Sequence, residues 1–474
     1  MTRRTWVRLD NASNIFLAAR SESDPKVFRL SAELDEPVRP ETLQQALNTT
    51  YDRYPLYHAV LRSGIFWYYL QDSDLRPEVT PDRLPTCSPI YQPDRRTLLF
   101  RVAYHHRRVI LEVFHALSDG TGASWFLVDL LDEYVRLLHP GPADNTAAGE
   151  PEPHPDPARE GVPGAERGLT TDSFTTYFRR WHLFEPDADD GPSPAPATAP
   201  VPTPGAAERV VHPAAGAVYQ VKGTRTPDRR PRVVELTMPV SQALALARGE
   251  GVSLTIYLTA LFFESIRLAT PDLGKARTLS VSVPVNLRQF FPSASPRNFF
   301  ATTRLEYTYG QHLDDISTIS RELDEQFREK ITPHALDAKL RRLIRFERMP
   351  ALRIVPRILK DVILGLINRS NNRGLTVAIS NLGPIRFPKP ADAHIGRVWL
   401  HVSAIRPQFC AVSHDGVLAI SFTSPFVETD HVREFTRLLT SRGVDVTVAA
   451  TRVTEEELEA AGPGAHRAQW RAER

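Results

Sequence analysis

A single stretch decides the fold of this chain: Val109-Ile110-Leu111-Glu112-Val113-Phe114-His115-Ala116-Leu117-Ser118-Asp119-Gly120. Its apolar strand leads directly into His115 and then into a turn that Asp119 and Gly120 close. A neutral imidazole is the commonest general base at pH 7, because its unperturbed pKa lies near about 6.5. Asp119 cannot share a strand face with His115, but its carboxylate can lock the loop by pairing with a distant arginine, while Gly120 allows the sharp turn. The stretch therefore predicts an active-site entrance with a general base and a structural aspartate.

Regular elements surround this stretch. Apolar periodicity predicts, in order, a helix at 41–52, a strand at 61–70, strands at 97–103 and 109–115 joined as a hairpin by the polar turn 104–108, and a helix at 123–138. The pair His105-His106 lies in that turn, and no Asp-Gly follows it at the required spacing. We interpret this pair as part of a solvated turn.

A proline-rich segment divides the chain. Residues 140–232 hold 17 of the 40 prolines, and runs such as Pro192-Ser193-Pro194-Ala195-Pro196 form neither helix nor central strand. One aromatic island within it, residues 173–184, is expected to be ordered by docking onto a folded surface; the alternative is a sticky stretch in a disordered loop. Beyond the segment the predicted elements are a strand at 232–238, helices at 241–248 and 254–268, strands at 278–283, 377–384 and 417–423, and a helix at 429–439.

The pattern HxxxDG, placed after a hydrophobic strand and before a helix, resembles the catalytic signature of the CoA-dependent acyltransferase superfamily. This superfamily includes chloramphenicol acetyltransferase, alcohol acetyltransferases, wax ester synthases and the condensation domains of peptide synthetases. Its fuller form often has two histidines, HHxxxDG, and Phe114 stands at the first position here. The resemblance assigns catalysis to the second histidine, which is His115.

Two further blocks follow in the order that this superfamily uses. Pro284-Val285-Asn286-Leu287-Arg288 resembles the block PVNLR, and the resemblance implies that Arg288 pairs with Asp119. The alternative is an ordinary surface arginine at a strand end. Asn298-Phe299-Phe300 stands where a GN-type turn follows in the family, with Arg297 in place of the usual glycine.

The third block, Ser380-Asn381-Leu382-Gly383-Pro384-Ile385, resembles the SNLGP block of alcohol acetyltransferases and wax ester synthases. Small polar side chains at a strand end can line a tunnel and donate to an acyl oxygen, while Gly383-Pro384 forces a turn. We therefore consider Ser380, Asn381 and Asn286 as possible tunnel or oxyanion residues. A plain turn is the alternative for the Asn-Leu-Gly-Pro run.

The resemblance runs from about residue 9 to residue 440 and is greatest to bacterial alcohol acetyltransferases. It implies an α/β fold with mixed sheets, in which two chloramphenicol acetyltransferase-like subdomains surround a central tunnel. We expect the first subdomain at 1–139, the linker or insertion at 140–232, and the second subdomain at 233–474 with a frayed C-terminal tail. His115 would lie midway along the tunnel, with the acyl donor entering from one side and the acceptor from the other.

Composition limits the other functions. A chain of 474 residues with 42% hydrophobic and 24% charged residues is typical of a globular protein with two domains. No apolar run approaches the roughly 18 residues of a transmembrane helix, so we expect none. The N-terminus lacks the apolar segment of a secretory signal, and two cysteines, Cys87 and Cys410, make no disulfide framework, which favours the cytoplasm. A net charge of +2 gives the protein no overall positive potential that would attract nucleic acid, so we expect no nucleic-acid binding.

Other chemistries have weaker patterns. Residues 120–125 begin like GxGxxG but end in Trp125, and the chain has neither a GxxxxGK loop nor a GxSxG elbow. No third histidine or cysteine lies at metal-ligand spacing from His115 and Asp119, so no metal site is expected. Basic and apolar residues alternate over 341–369, which is most often a solvated helix face over a core. Binding of CoA phosphates or contact with an anionic membrane surface are the alternatives for this segment.

The three blocks, which follow one another in the order of this superfamily, predict an enzyme that transfers an acyl group, in particular acetyl, from acyl-CoA to a small-molecule alcohol, with no permanently bound cofactor. An alternative is condensation of an acyl carrier protein thioester with an amine or alcohol, for which the same residues would serve. A binding or scaffold protein that retains the fold without catalysis is a third interpretation, which Phe114 keeps open. The sequence defines no oligomeric state.

Overall fold

The computed structural model describes residues 6–9, 11–21, 24–93, 95–140, 173–174, 218–226, 230–270, 273, 277–311, 313–348 and 357–451. Most of the proline-rich segment, all of the aromatic island except Ser173 and Phe174, and the end of the C-terminal tail lie outside these residues. The described residues form a mixed α/β structure, as the sequence predicts.

The described residues of the N-terminal part form these helices and strands: β1 (Trp6–Arg8), α1 (Asn11–Ala19), β2 (Val27–Leu34), α2 (Pro40–Arg53), β3 (Ala59–Ser63), β4 (Tyr68–Asp72), β5 (Val79–Pro81), β6 (Phe100–His105), β7 (Arg108–Phe114) and α3 (Gly120–Leu138).

The C-terminal part supplies the others: β8 (Arg232–Pro239), α4 (Val240–Gly249), α5 (Leu254–Ala269), β9 (Thr278–Asn286), β10 (Phe300–Thr308), α6 (Ile316–Lys330), α7 (Pro333–Arg348), α8 (Arg357–Arg373), β11 (Val377–Pro384), β12 (Ile395–Val402), β13 (Gln408–His414), β14 (Val417–Ser424), α9 (Asp430–Thr440) and β15 (Thr447–Ala450). Short 3-10 turns occur at Pro55–His58, Leu287–Gln289 and Ala391–His394.

The predicted elements are largely confirmed, with local corrections. The strand predicted at 61–70 is wrong, because a turn at 64–67 divides it into the antiparallel pair β3 and β4. Gly64 N donates to Trp67 O at 2.7 Å within that turn. The hairpin of β6 and β7 has a shorter turn than predicted, since His106 adopts a left-handed φ of 50° and lets the chain reverse over two residues. Helix α3 begins at Gly120, three residues before the predicted start.

Two large sheets carry the fold. The strands of the first follow the order β12-β2-β7-β6-β5, and those of the second follow β10-β9-β11-β13-β14-β8-β15; β1, β4 and β3 make a small third sheet. Strand β12 comes from the C-terminal part of the chain but pairs antiparallel with β2, from Ile395 opposite Leu34 to Val402 opposite Phe28. The first sheet is therefore completed across the proline-rich segment, and the predicted subdomain limits stay a prediction.

Each large sheet buries an apolar layer against helices. The first core combines the strands of the five-stranded sheet with α2 and α3, including Tyr54, Tyr57 and Phe126. The second core packs the seven-stranded sheet against helices α4, α5, α6 and α9, with Phe262 at its centre. A smaller cluster gathers around the 3-10 turn at 287–289, and Phe174 of the aromatic island packs there edge-on against Phe299 at 5.1 Å.

A partly buried ion pair joins the two large sheets. Arg108 of β7 holds Glu235 of β8 in a two-pronged contact at 3.0 and 3.2 Å, and His401 of β12 contacts the same carboxylate at 2.9 Å. The Arg108 guanidinium also lies 3.8 Å over the ring of Trp399. Burial raises the pKa of Glu235, but His401 and Arg108 together outweigh it and lower this pKa from 4.5 to about 2.

In the described part of the chain, no single helix is long and apolar enough to cross a bilayer. Helices α4 and α5 reach that length and apolarity only together, and they are bent by 84° at the break between them.

We predict that Glu235→Gln destabilises the fold in a pH-dependent way. Because the folded pKa lies below the unfolded one, the carboxylate stabilises the fold above pH 4.5, and this contribution declines as the pH falls from 4.5 toward 2. Denaturant unfolding at pH 7 should show a loss of about 2–3 kcal/mol, narrowing at pH 3. Glu33→Gln is the matched control, because Glu33 of β2 also pairs with an arginine, Arg107, and this contact is more exposed. A loss for Glu235→Gln that is the same at both pH values would contradict this assignment.

Candidate active site

Strand β7 delivers His115 from the middle of a sheet. Strand β7 lies between β2 and β6. Directly after the last residue of β7, His115 N donates to Lys26 O at 2.8 Å. Phe114, which stands where the superfamily often has a histidine, is fully buried and stacks on Tyr91 with ring centroids 5.5 Å apart. The change at this position therefore places an aromatic ring in the core and leaves the next residue at the strand exit.

Three aromatic rings surround the His115 imidazole. Phe16 of α1 stacks on it at 3.9 Å, Phe28 of β2 meets it edge-on at 5.0 Å, and Phe300 of β10 is tilted at 5.7 Å. The ring is partly exposed, but its Nδ1 atom is buried and has no hydrogen-bond partner within the described residues. Burial lowers the pKa of His115 to about 4, although Asp119, the backbone carbonyl of His115 and Asn298 act in the opposite direction. The imidazole is therefore neutral at pH 7.

Asp119 fixes the loop that follows His115. It is the N-cap of α3, and its Oδ1 accepts a hydrogen bond from Gly122 N at 2.8 Å. Its Oδ2 accepts from Arg288 Nη1 at 2.7 Å and from Phe299 N at 2.8 Å. The ion pair expected between Asp119 and Arg288 is thus present, and the carboxylate binds three donors far apart in sequence.

Arg288 is equally enclosed. It is 4% exposed, and its Nη2 donates to the carbonyl oxygens of Ser295 at 2.8 Å and Arg297 at 2.7 Å. Its guanidinium lies 5.2 Å over the ring of Trp125 on α3. Arg288 is therefore not the surface arginine of the alternative interpretation: it joins the start of α3 to the chain after β9.

The role expected of Gly120 needs a correction. Gly120 is not among the residues with positive φ, so it does not serve a left-handed turn. A Cβ atom on Gly120 would lie 2.6 Å from Leu382 Cδ2, within the Ser-Asn-Leu-Gly-Pro block. Two residues further on, a Cβ on Gly122 would lie 2.1 Å from the carbonyl oxygen of Pro296. Both glycines therefore let α3 approach other segments closely.

Two polar side chains that the sequence did not indicate, Asn298 and Ser118, hold the same loop. Asn298 Nδ2 donates to His115 O at 2.7 Å and to Ser13 Oγ of α1 at 2.9 Å. Ser118 Oγ donates to Pro296 O at 2.6 Å. Asn298 was visible in sequence only as part of the turn after the PVNLR-like block, and no local signal connects it with His115.

The three candidate tunnel or oxyanion residues differ in their contacts. Asn286 Nδ2 donates to Thr121 Oγ1 at 3.3 Å and its Oδ1 accepts from Arg288 N at 3.0 Å. Asn381 Nδ2 donates to Thr255 Oγ1 at 2.9 Å and its Oδ1 accepts from Gly383 N at 2.9 Å. The oxygen of each amide thus binds a backbone N–H two residues further on, and its nitrogen binds a threonine in the first turn of a helix. Ser380 is partly exposed and pairs through its backbone with Cys410.

Gly383 has a φ of 74°, the left-handed geometry that glycine favours, but it lies within β11, where the pairing with β13 shifts register between Asn381 and Pro384. The turn expected at Gly383-Pro384 is therefore an irregularity inside the strand. Among the described residues, no group of three or more His, Cys, Asp or Glu side chains is arranged to hold a metal ion.

Comparison with known proteins identifies the fold. No protein-family model and no curated protein matches this sequence. Among solved structures, polyketide synthase associated protein 5 from Mycobacterium tuberculosis is similar, with a TM-score of 0.55 and 14% identity over 92% of this chain and 97% of that one. Trichothecene 15-O-acetyltransferase from Fusarium sporotrichioides has a TM-score of 0.56 and 10% identity, covering 93% of this chain and 95% of that one.

A mutant starter condensation domain of rhizomide synthetase, in complex with C8-CoA and Leu-SNAC, has a TM-score of 0.54 and 12% identity, covering 92% of this chain and 94% of that one. These similarities extend over nearly the whole chain. The protein therefore has the same fold as these acetyltransferase and condensation-domain structures.

We predict that Asp119→Ala and Arg288→Ala each lower the free energy of unfolding by about 3–5 kcal/mol, because each leaves a buried charge without its partner. Asp119→Ala also removes the cap of α3. Arg433→Ala is the control, since its contact with Asp430 is exposed and should be worth about 1 kcal/mol or less. Denaturant unfolding measures all three. Wild-type stability combined with lost activity in either buried variant would argue against a structural ion pair.

Proposed function

We propose that this protein is an acyltransferase that moves an acyl group, in particular acetyl, from acyl-CoA to an alcohol, with His115 as general base. The observation that carries this proposal is a neutral, partly exposed imidazole at a strand exit, whose loop is fixed by the Asp119–Arg288 pair. The fold supports it, because one structural neighbour is named as an O-acetyltransferase and another was solved with C8-CoA. The central tunnel and the subdomain limits 1–139 and 233–474 are part of this proposal.

In the proposed reaction His115 Nε2 accepts the hydroxyl proton while the alcohol oxygen attacks the thioester carbonyl. The new C–O bond forms, the C–S bond breaks, and the imidazolium returns the proton to the departing thiolate, releasing free CoA. No acyl-enzyme is required. Nε2 suits this role because Nδ1 is the buried nitrogen of the ring.

Asp119 has a positioning role in this scheme. Both of its oxygens are bound by Gly122, Arg288 and Phe299, so the carboxylate orients the loop and does not receive a proton. Asn286 and Asn381 likewise hold turns through both ends of their amides. We therefore favour Ser380 over these two as the donor to the acyl oxygen.

Condensation of a carrier-protein thioester with an amine or alcohol is the second candidate, because one of the similar structures is a condensation domain. The same imidazole would remove the acceptor proton. Offering acetyl-CoA and acetylated acyl carrier protein separately, with pooled alcohols and amines, distinguishes the two by which donor releases thiol. Release from neither donor, with no CoA binding by calorimetry and an intact fold, would favour a non-catalytic protein.

We place the reaction in the cytoplasm, where the buried free thiols of Cys87 and Cys410 stay reduced.

We predict that His115→Ala reduces turnover by about 10²–10⁴-fold, the usual contribution of a general base. Because the ring is partly exposed and forms no buried ion pair, the melting temperature should change little. His105→Ala, at the exposed end of β6, is the matched control and should keep full activity. Thiol release from acetyl-CoA with pooled alcohols measures both variants. Full activity of His115→Ala would remove the proposed base.

We also predict the acid limb of the pH profile. Since burial lowers the pKa of His115 to about 4, the base stays deprotonated down to mildly acidic pH. A plot of kcat/KM against pH should therefore remain flat from pH 8 to about pH 5 and fall with an apparent pKa near 4. Circular dichroism at each pH separates this fall from unfolding. A limb near pH 6.5 in folded protein would show that the imidazole is not desolvated as the structure indicates.

A further inference from the structure

Helix α8 exposes a continuous apolar face. Five of its apolar side chains are 37–63% exposed: Leu359, Val362, Ile363, Leu366 and Ile367. The sequence pattern over 341–369 predicts a solvated helix face over a core, and for α8 this is wrong, because these side chains lie toward solvent. The side chains of residues 342–348, which belong to the same predicted segment, lie outside the described part of the structure.

The tip of the β3–β4 hairpin extends this face. Ile65 is 77% exposed and Phe66 is 42% exposed. Lys360 Nζ donates to Phe66 O at 3.1 Å and lies 3.5 Å over the ring of Trp67. At the next residue of each segment, Tyr68 OH donates to Asp361 Oδ2 at 2.9 Å. These contacts join the hairpin and the helix, and we call Ile65, Phe66 and the five exposed residues of α8 the apolar patch.

Charge is distributed unequally around this helix. At about 100° per residue the five apolar side chains of α8 span an arc of about 140°, and Lys360 and Arg369 fall at its two edges. Arg373 follows in the last turn, and it and Arg369 are exposed. The only acidic residue of α8, Asp361, lies on the opposite side, where Tyr68 binds it. The patch is therefore apolar at its centre and cationic at its borders.

We propose that the apolar patch docks on the surface of an anionic phospholipid bilayer. Arg369 and Arg373 are exposed and can reach the phosphate groups while the apolar face lies at the acyl boundary, and aromatic residues such as Phe66 suit the same depth. Lys360 is held by Phe66 O and the Trp67 ring and adds positive charge at the other edge. A second copy of the chain fits less well. A twofold contact would bring the cationic borders of two patches together without acidic partners from α8.

The patch lies one helix away from His115. Gly365 of α8 faces α1, where its Cβ position is 3.8 Å from Ala18 O, and α1 carries the Phe16 ring that stacks on the imidazole. Resting on the proposed function, this arrangement implies that the acceptor is a lipophilic alcohol that reaches the site from the bilayer. The docking itself does not depend on that function.

Vesicle co-sedimentation tests the docking. We expect the full chain to bind vesicles of phosphatidylcholine mixed with phosphatidylglycerol, and to bind pure phosphatidylcholine much less. Leu359→Ser combined with Leu366→Ser should weaken binding by about tenfold or more, because apolar burial drives insertion. Leu313→Ser is the matched control: Leu313 is 75% exposed but lies outside the patch, and its loss should change nothing.

Arg369→Gln combined with Arg373→Gln gives an independent readout. It should weaken binding to the anionic vesicles by about fivefold per charge while leaving the apolar face intact. Equal binding by the leucine variant, or no binding of the wild type to anionic vesicles, would overturn the proposal. Light scattering without lipid provides a further check: a concentration-dependent dimer that the leucine variant abolishes would assign the patch to a second copy instead. These readouts need no catalysis, so they remain decisive even if the acyltransfer proposal fails.

Discussion

The Asp119 carboxylate is the contact on which the rest of the site depends. One side chain caps α3, pairs with Arg288 and accepts from the backbone of Phe299. These partners lie 3, 169 and 180 positions away along the chain. A buried carboxylate is stable only when its oxygens are satisfied, so the helix start and the chain after β9 must assemble around it together. His115 is positioned as a consequence, because its carbonyl is bound by Asn298, the neighbour of Phe299.

Much of this arrangement could be predicted from the sequence, because it follows from local rules. Periodicity located α2, α3 and the β6–β7 hairpin, and the Asp-Gly pair after an apolar strand marked the loop of His115. Arg288 was reached through resemblance of a whole block, since nothing in a lone arginine specifies a partner 169 positions away. Helix α3 begins earlier than predicted because Asp119 acts as its N-cap, which extends the helix to Gly120.

Other features could not be predicted, since they depend on packing between distant segments. The pairing of β12 with β2 completes a sheet from both parts of the chain, and periodicity carries no information on that choice. Phe16 and Phe28 enclose His115 only after α1 and β2 have folded against it. Gly120 illustrates the difference. The sequence indicates that this position matters, but a glycine is needed there because Leu382 packs closely against it, and not because the backbone turns.

The aromatic enclosure determines what kind of base His115 can be. Desolvation by rings from three elements lowers its pKa to about 4, which secures the neutral form at pH 7 but also weakens its proton affinity. The charge of Asp119 acts against this effect, but the desolvation outweighs it. A strong base is thus not what this site provides. Its contribution to the proposed chemistry lies in holding a neutral nitrogen at a fixed place, where binding of an acceptor hydroxyl replaces lost solvation.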